Sequence, residues 1–191
     1  MQNKFLNFSN LSRPYFIAEI GVNHEGSMLR AKKLIDHAKE GGADAVKFQT
    51  YKAEKIAIRE SPYYWDIKKE KTKTQFDLFS KYDKFDYKHY KSLSLYCKKK
   101  KIEFLSTPFD LEAVNFLSPL VRMFKISSSD ITNLPLLEAV ASKKKTTILS
   151  TGASSISEIK QAVKILSKKV NKIILMHCIL NYPTINSNAH L

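Results

Sequence analysis

The sequence predicts an α/β chain of the TIM type, a (β/α)₈ barrel that ends after about six βα units, and three observations lead there. Short apolar runs alternate with single helical stretches, which implies right-handed βαβ units on a parallel sheet. Polar side chains finish nearly every run: Glu19, Lys47, Gln49, Thr107, Lys125, Ser128, Ser150 and Cys178. Convergence from many strand ends is the habit of a barrel, whose mouth lies at the strand C-termini, whereas a doubly wound sheet gathers its ligand at one switch point. No G-x-G-x-x-G or P-loop occurs, which weakens the nucleotide-binding sheet further. A whole barrel typically takes about 250 residues, so a chain of 191 is expected to lack roughly two βα units.

Tyr15 to Ile20 reads as the first strand, with Ile17 and Glu19 on one face and Gly21 releasing the backbone directly afterwards. Glu19 therefore ends a strand pointing inward. The loop Val22 to Gly26 leads to Ser27, a cap for a helix to about Lys39 that Gly41 and Gly42 terminate. His24 in that loop is expected to be a hydrogen-bonded structural residue rather than a catalytic one. Ala43 to Gln49 is the second strand, with Ala45, Lys47 and Gln49 on one face and Val46 and Phe48 on the other. After Thr50 and Tyr51 a connection of roughly twenty-five residues follows, long enough to be a candidate lid.

Tyr87 to Lys101 has helical periodicity, and Ile102 to Ser106 is the third strand, which Pro108 is expected to stop. Asp110 caps a helix Leu111 to Leu117. Ser106 and Thr107 stand just before that helix, where hydroxyls and free amides suit phosphate. Val121 to Ser127 is the fourth strand, and Asn133 caps the helix Leu134 to Ala141. Thr146 to Ser150 is the fifth, Ser155 with Glu158 forms a capping box for a helix to about Ser167, and Asn171 to His177 is the sixth.

Lys125-Ile126-Ser127-Ser128-Ser129-Asp130 is the most informative stretch. Met123, Lys125 and Ser127 share one face of a strand while Phe124 and Ile126 share the other, so packing the aromatic under helices turns Lys125 into the middle of the sheet. An ammonium held there costs several kcal/mol unless an anion meets it, so either a fixed carboxylate or an anionic ligand is expected. Lys47 repeats the pattern on the second strand. Two lysines at strand ends favour one shared anion over two separate structural ion pairs.

Composition narrows the field. With 43% hydrophobic residues the chain can bury one sizeable core and is expected to form one domain. The formal charge of +14 would ordinarily raise nucleic-acid or membrane-surface binding. The lysine clusters at 98–101, 143–145 and 168–172, however, each follow a helical stretch just before an apolar strand. There they complement negative helix ends on the face away from the strand C-termini, so neither nucleic acid nor membrane is expected as a partner. Met1 to Ser12 lacks an apolar stretch of signal-peptide length and no apolar run reaches about 18 residues, so a cytoplasmic protein is expected. Cys97 and Cys178 have no metal or disulfide spacing and are expected to be reduced thiols.

Six blocks taken in order carry a resemblance. Ala18-Glu19-Ile20-Gly21-Val22-Asn23-His24-Glu25-Gly26, Lys47-Phe48-Gln49-Thr50, Ser106-Thr107-Pro108-Phe109, Lys125-Ile126-Ser127-Ser128, Ser150-Thr151-Gly152, and His177-Cys178 with Tyr182-Pro183 resemble the signature of the sialic acid synthase family. That family includes the N-acetylneuraminate, legionaminate and pseudaminate synthases. The resemblance runs from about Phe16 to Thr184; its blocks are specific for the family and not for which sugar.

The resemblance implies condensation of phosphoenolpyruvate with an acylamino sugar, of the N-acetylmannosamine type or a related 6-deoxy sugar. The product would be a nine-carbon 2-keto sugar acid for cell-surface polysaccharide, with phosphate released. By the same resemblance Lys47, Thr107, Lys125, Ser128 and Ser150 hold the phosphate and carboxylate of phosphoenolpyruvate. Glu19 is the base or orienter for the water that attacks C2, Asp130 contacts the sugar or that water, and Gln49 and Tyr182 belong to the substrate site. The chain departs from its relatives in having Asp130 where many have glutamate and Leu180 where several have a polar sugar-contacting residue, so the sugar need not be N-acetylmannosamine.

The family's divalent metal, manganese or magnesium, is implied as a cofactor. Its two histidine ligands come from the last part of the barrel, so they are expected outside this chain, and His177 matches neither. Residues 1–191 are thus expected to be a partial phosphoenolpyruvate-binding barrel without the C-terminal strands and without the antifreeze-like domain that in relatives closes over the partner subunit's site. A full-length protein would be a homodimer. Two other readings stay open: a Schiff-base aldolase in which Lys125 or Lys47 attacks a keto acid, and a non-catalytic fragment or subunit that keeps the phosphoenolpyruvate half-site.

Overall fold

The computed structural model describes residues 11–181 and 184–190. Its strands follow in chain order: β1 (Ile17–Gly21), β2 (Ala45–Thr50), β3 (Glu103–Pro108), β4 (Met123–Ile126), β5 (Thr146–Ser150) and β6 (Ile173–Met176). Every pairing among them is parallel, with β1-β2-β3 in one sheet and β4-β5-β6 in another. β3 lies beside β4, so spatial order repeats chain order throughout. A doubly wound sheet reverses its order partway, and this one does not. The chain is therefore α/β with parallel sheets. The barrel expectation is met only that far: no ladder joins β3 to β4, and among the described residues β1 pairs only with β2 and β6 only with β5.

The helices are α1 (Met28–Glu40), α2 (Ala53–Ile56), α3 (Gln75–Tyr82), α4 (Tyr87–Lys100), α5 (Leu111–Leu117), α6 (Leu134–Ser142) and α7 (Ile156–Ser167). In α1, α5, α6 and α7 side chains of the expected residues satisfy the first free amides. Ser27 Oγ accepts from Arg30 N at 3.2 Å, Asp110 Oδ1 from Ala113 N at 2.8 Å, and Asn133 Oδ1 from Leu136 N at 3.3 Å. Ser155 and Glu158 form the reciprocal box. Gly41 ends α1 by donating back to His37 and Lys39 carbonyls.

Strand alternation divides the core in two. Val46, Phe48, Phe124, Ile126 and Leu149 face the helices and pack with Ile35, Leu93, Leu117, Leu137 and Leu166, while Ala45, Leu105, Met123 and Ile148 cluster on the opposite face. Lys47, Thr107 and Lys125 follow the second set along their strands, so the apolar inner cluster forms the floor of whatever the polar ends build.

β3 stops at Pro108 as expected, though it runs two residues past Ser106 and takes in the proline as its last residue, opposite Thr50. A proline is tolerated at a strand end because the ladder no longer needs its missing N–H. The connection after β2, the candidate lid, carries structure of its own. It contains α2, a bridge between Pro62 and Thr74, and α3, and it is tied down by Trp65 Nε1 donating to Glu70 O (3.0 Å) and by the Lys81–Glu70 pair (2.7 Å). At eight residues α3 is too short for its apolar residues to mark it out within that connection.

The lysine clusters lie where expected. Lys98, Lys99 and Lys100 form the last turn of α4, Lys143 and Lys168 cap α6 and α7, and Lys145 donates to the carbonyls of Ser118 and Val121 beyond α5. No helix among the described residues is long and apolar enough to cross a membrane.

Candidate functional site

Lys47 and Lys125 stand on the inner faces of β2 and β4, and their surroundings differ. Lys47 is aligned with Glu19 in the β1–β2 register and forms an ion pair with it; its Nζ also donates to Thr107 Oγ1 on β3 at 3.4 Å. Lys125 is 8% exposed, and its Nζ donates to Ser150 Oγ on β5 at 2.5 Å and to the Ile126 carbonyl at 2.9 Å. Among the described residues no carboxylate reaches Lys125 within ion-pair distance. Burial first, and then repulsion from Lys47, pull its pKa down from 10.5 to about 8, against weaker support from Cys178 and Glu19. Lys47, Glu19 and Cys178 thus each act electrostatically on Lys125.

Thr107 and Ser150 are buried, at 2% and 6% exposure. Ser128 opens a short 3₁₀ turn after β4, and its Oγ accepts from Gly152 N at 2.9 Å. Gly152 is needed for that approach: a Cβ there would stand 3.0 Å from Ser128 Oγ and 3.4 Å from Cys178 Cβ. Asp130 closes the same turn and is held by Asn133 Nδ2 (3.2 Å) and Ser129 Oγ (3.3 Å). Burial raises its pKa, against the lowering by those two donors. Gln49 is half-buried, and its backbone carbonyl accepts from Tyr90 Oη at 2.7 Å.

The structure thus brings together Glu19, Lys47, Thr107, Lys125 and Ser150, with Ser128 and Asp130 on the adjoining turn. Glu19 points inward as expected and there meets Lys47, yet its side chain is 48% exposed, on a strand that is an edge among the described residues. Ser106 does not join them. It has the opposite strand parity from Thr107, and its Oγ pairs with Thr50 Oγ at 2.7 Å on the helix side. Tyr182 lies outside the described residues.

His24 proves structural. It is 1% exposed, its Nδ1 accepts from Gly26 N at 3.1 Å, and its ring stacks on Phe85 at 3.9 Å; burial lowers its pKa to about 4, so it stays neutral. Cys97 and Cys178 are free thiols, and burial lifts the former to about 12. Sequence reasoning missed the amide of Asn133 on Asp130 and the closeness of Cys178 to Lys125. The first had a signal, an asparagine three residues after the aspartate; the second did not. A shallow hollow lined by Tyr15, Asp44 and Glu103 sits at the other end of the strands, away from these groups.

Among the described residues no three His, Cys, Asp or Glu side chains come together to hold a metal ion. The residues present therefore do not make a metal centre.

A family description, NeuB family, matches residues 34–191. An N,N'-diacetyllegionaminic acid synthase of Campylobacter jejuni is 42% identical over 91% of this chain and 53% of its own length. A pseudaminic acid synthase of Helicobacter pylori is 31% identical over 95% of this chain and 54% of its own length. Among solved structures, an N-acetylneuraminic acid synthetase of Leptospira borgpetersenii, in complex with citrate, superposes with a TM-score of 0.80 at 37% identity over 93% of this chain and 59% of that one. The chain spans about half the length of the curated relatives it matches. On that match, and with the same strand ends carrying the signature residues, the chain belongs to the NeuB family.

Proposed function

We propose that these residues form the phosphoenolpyruvate-binding part of a nonulosonic acid synthase, which joins phosphoenolpyruvate to an acylamino sugar. In that reaction C3 of phosphoenolpyruvate bonds to the sugar's aldehyde carbon, water adds at C2, and the C2–O bond to phosphate breaks. The observation that carries the reading is Lys125: a buried ammonium held by a hydroxyl and a carbonyl, beside a second lysine, is arranged for an incoming anion. Lys47, Lys125, Thr107, Ser128 and Ser150 would hold the ligand's phosphate and carboxylate. Glu19 would take the proton of the attacking water, while Asp130, Gln49 and Tyr182 would face the sugar. The relatives differ in product, so the sugar is stated only as that class.

A divalent metal, manganese or magnesium, belongs to the reading with ligands outside these residues, and no step above depends on it. We further place the protein in the cytoplasm as a homodimer in its full-length form, in keeping with small-molecule substrates.

The test is calorimetry with phosphoenolpyruvate on the 191-residue chain. Binding that disappears in both Lys47→Ala and Lys125→Ala supports the reading; unchanged affinity in both overturns it. In an assembly that turns over, Glu19→Gln should cut turnover by about 10² to 10⁴, the usual worth of a general base. The lowered pKa of Lys125 also suits a Schiff-base nucleophile. Borohydride reduction with pyruvate separates the two, since a synthase forms no covalent adduct.

A further inference from the structure

We infer that Glu19 is the resident counter-ion of Lys47 and is exchanged for the incoming anion, so that ligand binding itself releases the carboxylate that then works on water. The inference rests on the phosphoenolpyruvate reading above and adds to it a coupling between binding and base. Glu19 and Lys47 are direct neighbours in the parallel register and form an ion pair. The two partners are unequally buried: the lysine side chain is 13% exposed and the glutamate 48%. The carboxylate is therefore the partner on the solvent side, and the one that can leave without stranding itself.

It also has somewhere to go. The β1–β2 register slips between Glu19 and Gly21, and Gly21 has φ +54°, a conformation that favours glycine. Where its Cβ would stand, Glu19 Oε1 is 3.1 Å away and Gln49 Nε2 is 3.8 Å away. A gap without a side chain thus lies between the carboxylate and an amide donor, so a small rotation trades the ammonium of Lys47 for the amide of Gln49. A phosphate brings more charge and more acceptor oxygens than one carboxylate and displaces it at the ammonium. Once separated from its ammonium partner, the carboxylate has oxygens free to accept a hydrogen bond from water. Lys125, with neutral partners, needs no such displacement.

The experiment uses the 191-residue chain with phosphoenolpyruvate as the probe. Calorimetry compares the parent, Glu19→Gln and Lys47→Met, and ¹³C NMR of the parent follows the Glu19 carboxyl resonance, assigned by its loss in Glu19→Gln. The expected result is about tenfold tighter binding by Glu19→Gln, the gain for a site whose cation is otherwise free one-tenth of the time, with a Glu19 resonance that moves on saturation. Equal or weaker binding by Glu19→Gln, or a resonance unmoved while the parent binds, overturns the exchange and leaves the phosphoenolpyruvate site standing. Absence of binding by the parent and by Glu19→Gln overturns both. Where Glu19→Gln fails to fold, Glu19→Asp supplies the assignment by shifting that resonance, and the parent measurement then decides the matter.

Discussion

The sheet β1-β2-β3 and the sheet β4-β5-β6 each hold one lysine on the inner face, and they do so by different means. Lys47 has a carboxylate beside it, whereas Lys125 has a hydroxyl and a carbonyl. The first arrangement neutralises the charge at no cost to the empty protein but puts a competitor in the site. The second leaves a charge the fold holds at a cost, visible in the lowered pKa, which under the proposed function an anionic ligand meets. Strand parity makes both lysines point inward; their partners, contributed by neighbouring strands, decide what each lysine is for.

The largest expected effect tests the reserved charge. Lys125→Met should weaken phosphoenolpyruvate binding by about 2 to 5 kcal/mol, the usual loss for one side of a desolvated charge pair, read by calorimetry. The same variant should show what the charge costs the empty fold. Because the folded pKa of Lys125 lies at about 8, below its ordinary value of 10.5, the unfolded chain binds more protons between those values. Stability contributed by this residue therefore rises with pH across that window, by about 3 kcal/mol at about 1.4 kcal/mol per pH unit. Denaturant melts of the parent against Lys125→Met from pH 7 to 10 should show the parent gaining on the variant; a constant difference would place the ammonium in solvent.

Gly152→Ala should come next. Its Cβ would press on Ser128 Oγ and Cys178 Cβ, at a cost of about 1 to 3 kcal/mol in stability from overpacking, with weaker phosphoenolpyruvate binding because Ser128 must shift. Normal binding in this variant would remove Ser128 from the site. Breaking the pair in the first sheet should matter less to the fold: Glu19→Gln should change stability by about 0 to 1 kcal/mol, as half-exposed ion pairs do. A loss of several kcal/mol in a thermal melt would make the pair a structural device and erase the contrast with Lys125.

The smallest expected effect concerns Asn133. Replacement by alanine removes both the α6 cap and the donor to Asp130, for about 1 kcal/mol. Asn133→Asp keeps the cap and sets a second carboxylate against the first, so the Asp130 pKa should rise further in a ¹³C titration while stability stays near the parent's. An unmoved Asp130 would detach it from Asn133.

Much of this was legible beforehand for physical reasons that can be named. The period of two along strands placed Lys47 opposite Phe48 and Lys125 opposite Ile126, and the short polar residues at Ser27, Asp110, Asn133 and Ser155 marked helix starts because free amides need acceptors. Parity would also have turned Ser106 away from the site, since it alternates with Thr107. What could not be read was register. Whether Glu19 meets Lys47 depends on how β1 slides along β2, and nothing local sets that. Helix α3 escaped because eight residues are too few to show a period, and His89 escaped as the capping partner of Asp86 because an imidazole stands there instead of a glutamate.

The hydroxyl pair between Thr50 and Ser106 bears on how this sequence can drift. Both residues are buried, at 1% exposure, and each satisfies the other. Losing one strands the other at about 1 to 3 kcal/mol, whereas replacing both by apolar residues of similar shape comes close to neutral. Ser106 can therefore change in company with Thr50, a residue far away in the chain, while its immediate neighbour Thr107 answers to the ammonium of Lys47. Two adjacent codons that both encode a hydroxyl thus fall under separate selective regimes, one set by a compensating hydroxyl and the other by an ammonium.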